Sequence, residues 1–221
     1  FLWVFLILVE RSFLCVDKGQ ERLSIIKYIL KILLFIALSA PGEASMRITD
    51  YKKLHPQFIN RWSPRAFKNE PIPEEDLKTI FEAARWSPSC YNEQPWLYVY
   101  AQTPEARKKF LTTLVEFNQQ WASHAPVLII VFAKKTFDRN GTPNRWAPFD
   151  TGASWMSIAL QAHQLGYCTH GMGGFDPLKA FAVAGIDSTR YDAMAVIALG
   201  KEGSKEDLSE NLKQQEVPSS R

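Results

Sequence analysis

Residues 127–133 read VLIIVFA, an unbroken apolar run bounded by Pro126 and Lys134. A run of strand length, rich in β-branched residues and without polar alternation, offers no face to water. It belongs in a sheet that is covered on both sides. The flanking sequence supplies the cover. Pro71–Trp86 reads as a helix, with Pro73, Glu74, Glu75 and Asp76 in its first turn and Leu77, Ile80, Phe81 and Ala84 on one face. Trp96–Ala101 reads as a short strand. Thr103 as N-cap and Pro104 at the first helical position start a second helix, whose apolar side continues through Phe110, Leu111, Leu114, Val115 and Phe117.

Thr136–Pro148 is polar, contains Asn140-Gly141 and Pro143, and reads as a loop with the texture of a lid. Trp146 and Phe149 flank the loop as candidates to line a substrate pocket, and at least one of them is expected in the core instead. Ser154–Leu165 reads as an apolar helix closed by Gly166, and Asp176-Pro177 opens another that Gly185 ends. Ala193–Leu199 is the last clear strand, and the charged tail from Lys201 is expected to be an extended arm with little core of its own. Helices alternating with buried strands predict a sheet with helices on both faces.

The chain has 221 residues, 46% of them hydrophobic and 22% charged, which suits one folded domain and excludes collagen-like or long disordered sequence. A formal net charge of +3, evenly spread, gives no footprint for nucleic acid. Three cysteines make no disulfide framework, and four histidines show no zinc spacing. Residues 1–45 differ in texture: FLWVFLILV opens the chain, and Ile32–Ala40 follows Lys27 and Lys31. That second run suits a signal-like segment, and it is short of the roughly 20 residues of a membrane span. The preferred reading is upstream sequence read through as protein before Met46. Residues 46–221 are expected to be the functional domain, with no membrane span and a cytoplasmic location.

Three segments carry candidate chemistry. Arg61-Trp62-Ser63-Pro64-Arg65 places two arginines and a hydroxyl within five residues, a donor set suited to phosphate oxygens and also to a solvated basic turn. Ser87–Trp96 is a turn dense in hydrogen-bonding groups, where Ser89 and Asn92 suit either a polar ligand or their own backbone. In Thr169–Pro177, three glycines allow close backbone approach to a flat ligand, or simply a tight connection. The GxGxxG and P-loop patterns are absent from the chain, as is the GxSxG elbow. His163 and His170, seven residues apart, read as core or surface histidines.

Taken in order, RWSPRAF (61–67), PIPEEDLKTIFEAARWSPSCYNEQPW (71–96), FDTGASWMSIALQAHQLG (149–166) and GMGGFDP (171–177) resemble the nitroreductase family of FMN-dependent oxidoreductases. The resemblance covers nearly all of residues 46–221. It implies an α+β fold, a three-layer sandwich of a central mixed sheet flanked by helices, in an intertwined homodimer with FMN at the subunit interface. It also implies hydride transfer from NADH or NADPH to a nitroaromatic, quinone or similar small aromatic acceptor by a ping-pong scheme. A dehalogenase, a flavin-degrading enzyme and a non-catalytic flavin-binding module are the other outcomes it leaves open.

Position by position, the resemblance makes Arg61 and Ser63 contacts to the cofactor phosphate and ribityl chain. Arg65 falls near flavin N1 and O2 as electrostatic support. Ser89, Cys90 and Asn92 fall among contacts from the other subunit, and Asn118 near the pyrimidine edge. Gly173 and Gly174 fall where backbone N–H groups face N5 and O4, although many relatives have an acidic residue at the place of Gly173. Pro218–Arg221 resembles a phosphate-binding arginine segment, which assigns Arg221 to the cofactor. No dedicated acid–base residue and no metal are expected, because the flavin carries the chemistry.

Overall fold

A computed structural model describes Arg47 and residues 49–219. The expected leader at 1–45 and the Arg221 assignment lie outside the described residues. Helix α1 spans Pro56–Asn60 and α2 Glu74–Arg85, followed by strand β1, Trp96–Ala101. Helices α3, Pro104–Leu111, and α4, Glu116–Ala122, precede β2, Val127–Lys134. Then come α5, Ala147–Gln164, β3, Cys168–Met172, α6, Pro177–Ala184, β4, Tyr191–Gly200, and α7, Glu210–Gln215.

The four strands form one sheet in the order β1-β2-β4-β3. Trp96 faces Ala133 at one end of the β1–β2 ladder, Val127 faces Leu199 in β2–β4, and Cys168 faces Gly200 in β3–β4. Every pairing is antiparallel, which corrects the expected mixed sheet. The reason is positional. β2 and β3 run the same way, as a helical crossover through α5 allows, but β4 sits between them. Their parallel relation therefore never becomes a pairing.

Residues Val127–Ala133 of β2 are buried throughout, as the apolar run predicts. Their period-two alternation serves two cores. Val127, Ile129 and Val131, with Ile197 and Leu199 of β4, pack against Leu77, Ile80 and Ala84 of α2 and Ile158 and Ala162 of α5. Leu128, Ile130 and Phe132, with Val196 and Ala198, pack in the other core with Phe110, Trp121, Ala180, Leu208 and Leu212.

Several boundaries differ from expectation. The helix begun by Thr103 ends at Leu111, and α4 starts afresh at Glu116. Thr112 and Thr113 donate their hydroxyls back to the carbonyls of Lys109 and Phe110, which competes with helix continuation. Leu114 then bridges to Phe175. Helix α5 starts seven residues before Ser154, because Pro148 lies in its first turn, where a missing N–H costs nothing. Trp146 and Phe149, one of them expected in the core, are both exposed.

The tail beyond Lys201 is folded rather than extended. Leu208, Leu212 and Glu216 are all buried. The tail begins by running against the segment 66–68: Gly203 donates to the Ala66 carbonyl at 2.9 Å, and Lys68 donates to the Lys201 carbonyl at 2.9 Å. A Cβ on Gly203 would lie 2.9 Å from the carbonyl carbon of Phe67, so this close approach requires glycine. Among the described residues no helix is long and apolar enough to cross a membrane, and no cluster of metal-ligating side chains is found.

Candidate functional site

The chain leaves α1 extended, with Arg61 at φ −65° and ψ 123°. Extended backbone alternates its side chains, so Arg61, Ser63 and Arg65 share a side while Pro64 and Ala66 are buried. All three line one cleft of ≈ 260 Å³, together with Arg47, Trp62, His170 and the tail residues Gln215, Val217 and Ser219. Arg61 donates to the Ser63 hydroxyl at 3.3 Å, and Arg47 donates to the Arg61 carbonyl at 2.7 Å.

The cleft is electropositive. Among the described residues, three guanidinium groups line the cleft and one buried carboxylate, Glu216, has its Oε2 3.9 Å from Arg65 Nη1. His170 adds no positive charge at neutral pH. Burial pushes its pKa below 6.5, with Arg65 repelling the imidazolium and hydrogen bonds to the Pro64 and Ser63 backbone opposing the shift. Its ring lies against Trp121, 4.6 Å between centroids. Such a donor-rich pocket suits a phosphate or other compact polyanion.

His170 sits in β3, and Gly173 and Gly174 follow that strand. At about 3.3 Å per residue, Gly174 is roughly 13 Å further along. Its carbonyl accepts from the Val115 amide and from Asn118 Nδ2, both at 3.1 Å. A Cβ at Gly174 would fall 2.9 Å from Asn118 Nδ2 and 3.0 Å from Val115 Cγ2, so Gly174 packs closely against those two side chains, whereas a Cβ at Gly173 would meet nothing within 4 Å. Neither the Gly173 nor the Gly174 amide donates to any partner among the described hydrogen bonds.

The third group lies apart from this cleft. Ser89 Oγ accepts from the Gln94 amide at 3.0 Å, and the Cys90 amide donates to Asp150 Oδ2 at 3.0 Å. Asn92 is exposed. Tyr91, Asn92 and Gln94 all have positive φ, between 51° and 57°, so this turn holds non-glycine residues in the sparsely populated left-handed region. The 135–146 loop braces it: Arg139 lies 3.8 Å over the Tyr91 ring, and Glu93 accepts from the Asp138 amide.

The structure thus gathers Arg61, Ser63 and Arg65 in one place and Asn118 with Gly173 and Gly174 in another. It leaves Ser89, Cys90 and Asn92 on a separate turn. Sequence reasoning missed Arg47 and Glu216 and set His170 aside. The only available signal for His170 was its place three residues before the glycine pair.

Comparison with known proteins converges on one group. The sequence profile of the nitroreductase family matches residues 59–116 and 111–201. An NADH dehydrogenase of Thermus thermophilus is 28% identical over 194 residues, covering 72% of this chain and 89% of that protein. A CLA biosynthesis enone reductase of Lactiplantibacillus plantarum is 26% identical over 180 residues, covering 65% and 83%. The crystal structure of an oxidoreductase containing FMN superposes with a TM-score of 0.74 at 39% identity, covering 79% of this chain and 89% of that one.

Proposed function

The chain belongs to the nitroreductase family, and from that premise we propose that it is an FMN-dependent oxidoreductase passing hydride from NADH or NADPH to a small, flat, electron-poor acceptor. The observation that carries the reading is the pairing of two places: an anion cleft of Arg47, Arg61 and Ser63 that Arg65 and His170 of β3 also line, and Gly173 and Gly174 just beyond β3, with Gly174 against Asn118 and open space over Gly173. One elongated ligand with a phosphate at one end and a polar ring at the other fits both. FMN has that shape.

Arg61 and Ser63 would hold the phosphate, and Gly173 and Gly174 would offer amide N–H groups to the ring. Asn118 would face the ring's polar edge. When bound, FMN supplies the hydride chemistry, taking hydride from the nucleotide and giving it to a nitroaromatic, quinone or related acceptor in a ping-pong sequence. Arg65 would place positive charge where the ring gains electrons. The open side of Gly173 would leave room for donor and acceptor in turn.

A three-layer, intertwined homodimer follows from the same reading. Among the described residues the turn with Ser89, Cys90 and Asn92 bonds to Asp150 and Gln94 rather than to the arginine cleft of its own chain, and would reach the FMN of a second copy. Trp86, Tyr91 and Phe149 are 74%, 70% and 75% exposed near that turn, large apolar side chains that a subunit interface would cover.

Purified protein gives the test. It should carry or take up FMN with a flavin absorbance spectrum, be bleached anaerobically by NADH or NADPH, and turn over nitroaromatics, quinones or enones in steady state. Bound flavin without turnover points instead to a binding module. Absence of flavin binding refutes the proposal.

A further inference from the structure

Two side chains from distant parts of the chain grip a single peptide unit of the cleft. His170 Nδ1 lies 3.0 Å from the Pro64 carbonyl oxygen. A carbonyl only accepts, so Nδ1 carries the proton. The Arg65 amide donates to Glu216 Oε1 at 2.6 Å, and the Ala66 amide reaches the same oxygen at 2.8 Å. The Pro64 carbonyl and the Arg65 amide belong to one planar unit. Holding it at both ends fixes the direction in which the Arg65 side chain leaves the backbone.

The same carboxylate also faces the guanidinium, with Glu216 Oε2 at 3.9 Å from Arg65 Nη1, and the Glu216 side chain is only 3% exposed. A buried carboxylate is costly unless donors surround it. Here the donors are the amides of Arg65 and Ala66, both on Oε1, while Oε2 makes no hydrogen bond among the described residues and has only the Arg65 guanidinium as its charge partner. Gln215 and Val217, on either side of Glu216, line the cleft too.

We propose that Glu216 and His170 are positioning residues that preset Arg65, so that the folded tail, and not only the 61–65 motif, builds the ligand cleft. The inference rests on the FMN reading above. A donor already held in place loses less freedom when its ligand arrives.

The test uses full-length apoprotein, titrated with FMN, with amide hydrogen exchange at Arg65 and Ala66 as a second readout. Glu216→Ala should weaken FMN binding about tenfold, no more than Arg65→Ala does, and leave both amides fast-exchanging. Glu216→Gln keeps an oxygen for the two amides and should restore affinity to within about threefold of wild type. His170→Ala should weaken binding in the same way, with His170→Asn restoring the donor. On an Arg65→Ala background, Glu216→Ala should add less than about threefold, because it acts through Arg65. Folded Glu216→Ala protein that binds FMN like wild type overturns the proposal, as does a Glu216→Gln variant no better than Glu216→Ala. Should Glu216→Ala not fold, the His170→Ala and His170→Asn pair decides by the same criterion. Wild-type protein that fails to bind FMN removes the functional reading as well, whereas tight wild-type binding with unaffected variants removes only the positioning roles.

Discussion

Replacing Gly203 by alanine should destabilise the protein and disturb the cleft together. The new Cβ would stand 2.9 Å from the Phe67 carbonyl carbon, 3.0 Å from its amide nitrogen and 3.1 Å from its oxygen. Comfortable carbon contacts are about 3.5–4.0 Å, so one backbone must retreat by roughly 0.6–1 Å. Neither can do so alone, because the Gly203 amide bonds to the Ala66 carbonyl at 2.9 Å, and Phe67 stacks on Trp121 with centroids 6.2 Å apart. Overpacking of this kind costs about 1–3 kcal/mol, and a clash with backbone belongs at the upper end. At about 2–4 °C per kcal/mol for a domain of this size, a cost of about 2–3 kcal/mol lowers Tm by roughly 4–12 °C. Gly152→Ala in α5 is the matched control. No atom lies within 4 Å of its Cβ, and helix propensity predicts a gain of up to about 1 kcal/mol. Thermal melts of both variants, with FMN titration of Gly203→Ala, read out the contrast. A Gly203→Ala protein as stable as wild type, beside a stabilised Gly152→Ala, would refute the reasoning.

Arg65→Ala should slow flavin reduction by NAD(P)H about 10–150-fold, the equivalent of losing about 1.5–3 kcal/mol of interaction with a charged group, while weakening FMN binding less; stopped-flow reduction at saturating FMN measures it. Arg61→Ala and Asn92→Ala chains, refolded as a mixture, should regain a fraction of high-affinity FMN sites that neither homodimer has, as ligand titration would show; confirmed mixed dimers without that fraction would exclude a shared site. His170 has its folded pKa below the ordinary 6.5, so the unfolded chain takes up its proton first. Stability should therefore hold above about pH 6.5 and decline as pH falls toward the folded value, and His170→Asn should flatten that slope in melts at about pH 7.5 and 5.5. Tyr98 is the opposite case, pushed up to about 12 by burial against its hydrogen bond to Ser154. Its contribution should persist below about pH 10 and disappear as pH rises through 12, and alkaline melts of Tyr98→Phe should lack that loss.

Elements whose signals are local were legible in the chain. The apolar run 127–133 matches β2 to within one residue, and the Asp176 cap and Gly185 end bound α6 as read. Strand β3 was not visible, because Cys-Thr-His-Gly-Met has neither alternation nor an apolar run. It is a strand because β4 offers it an edge, which is a tertiary fact. The folded tail was hidden for a similar reason: Leu208 and Leu212 are too few among charges to mark a buried face. At the candidate site, the 61–65 motif was enough to group Arg61, Ser63 and Arg65 as one donor set, while the extended backbone that puts them on one side came from the structure. Glu216 could not be found that way. Its partners are two backbone amides about 150 residues away, and an amide N–H has no letter in a sequence.

The strand order has a consequence for the chain during its synthesis. β4, the last strand to emerge, lies inside the sheet rather than at its rim. Until Tyr191–Gly200 has been made, β2 keeps one long apolar edge without a hydrogen-bonding neighbour, and β3 has no strand to pair with at all. Unpaired edges of this kind are where nascent chains find the wrong partner. A ribosome stalled before residue 191 would therefore hold a chain with its most adhesive segment exposed, and fragments ending there should aggregate rather than fold. Arrival of β4 closes the sheet from within, and only then can the tail that follows it settle onto residues 65–68 and complete the cleft.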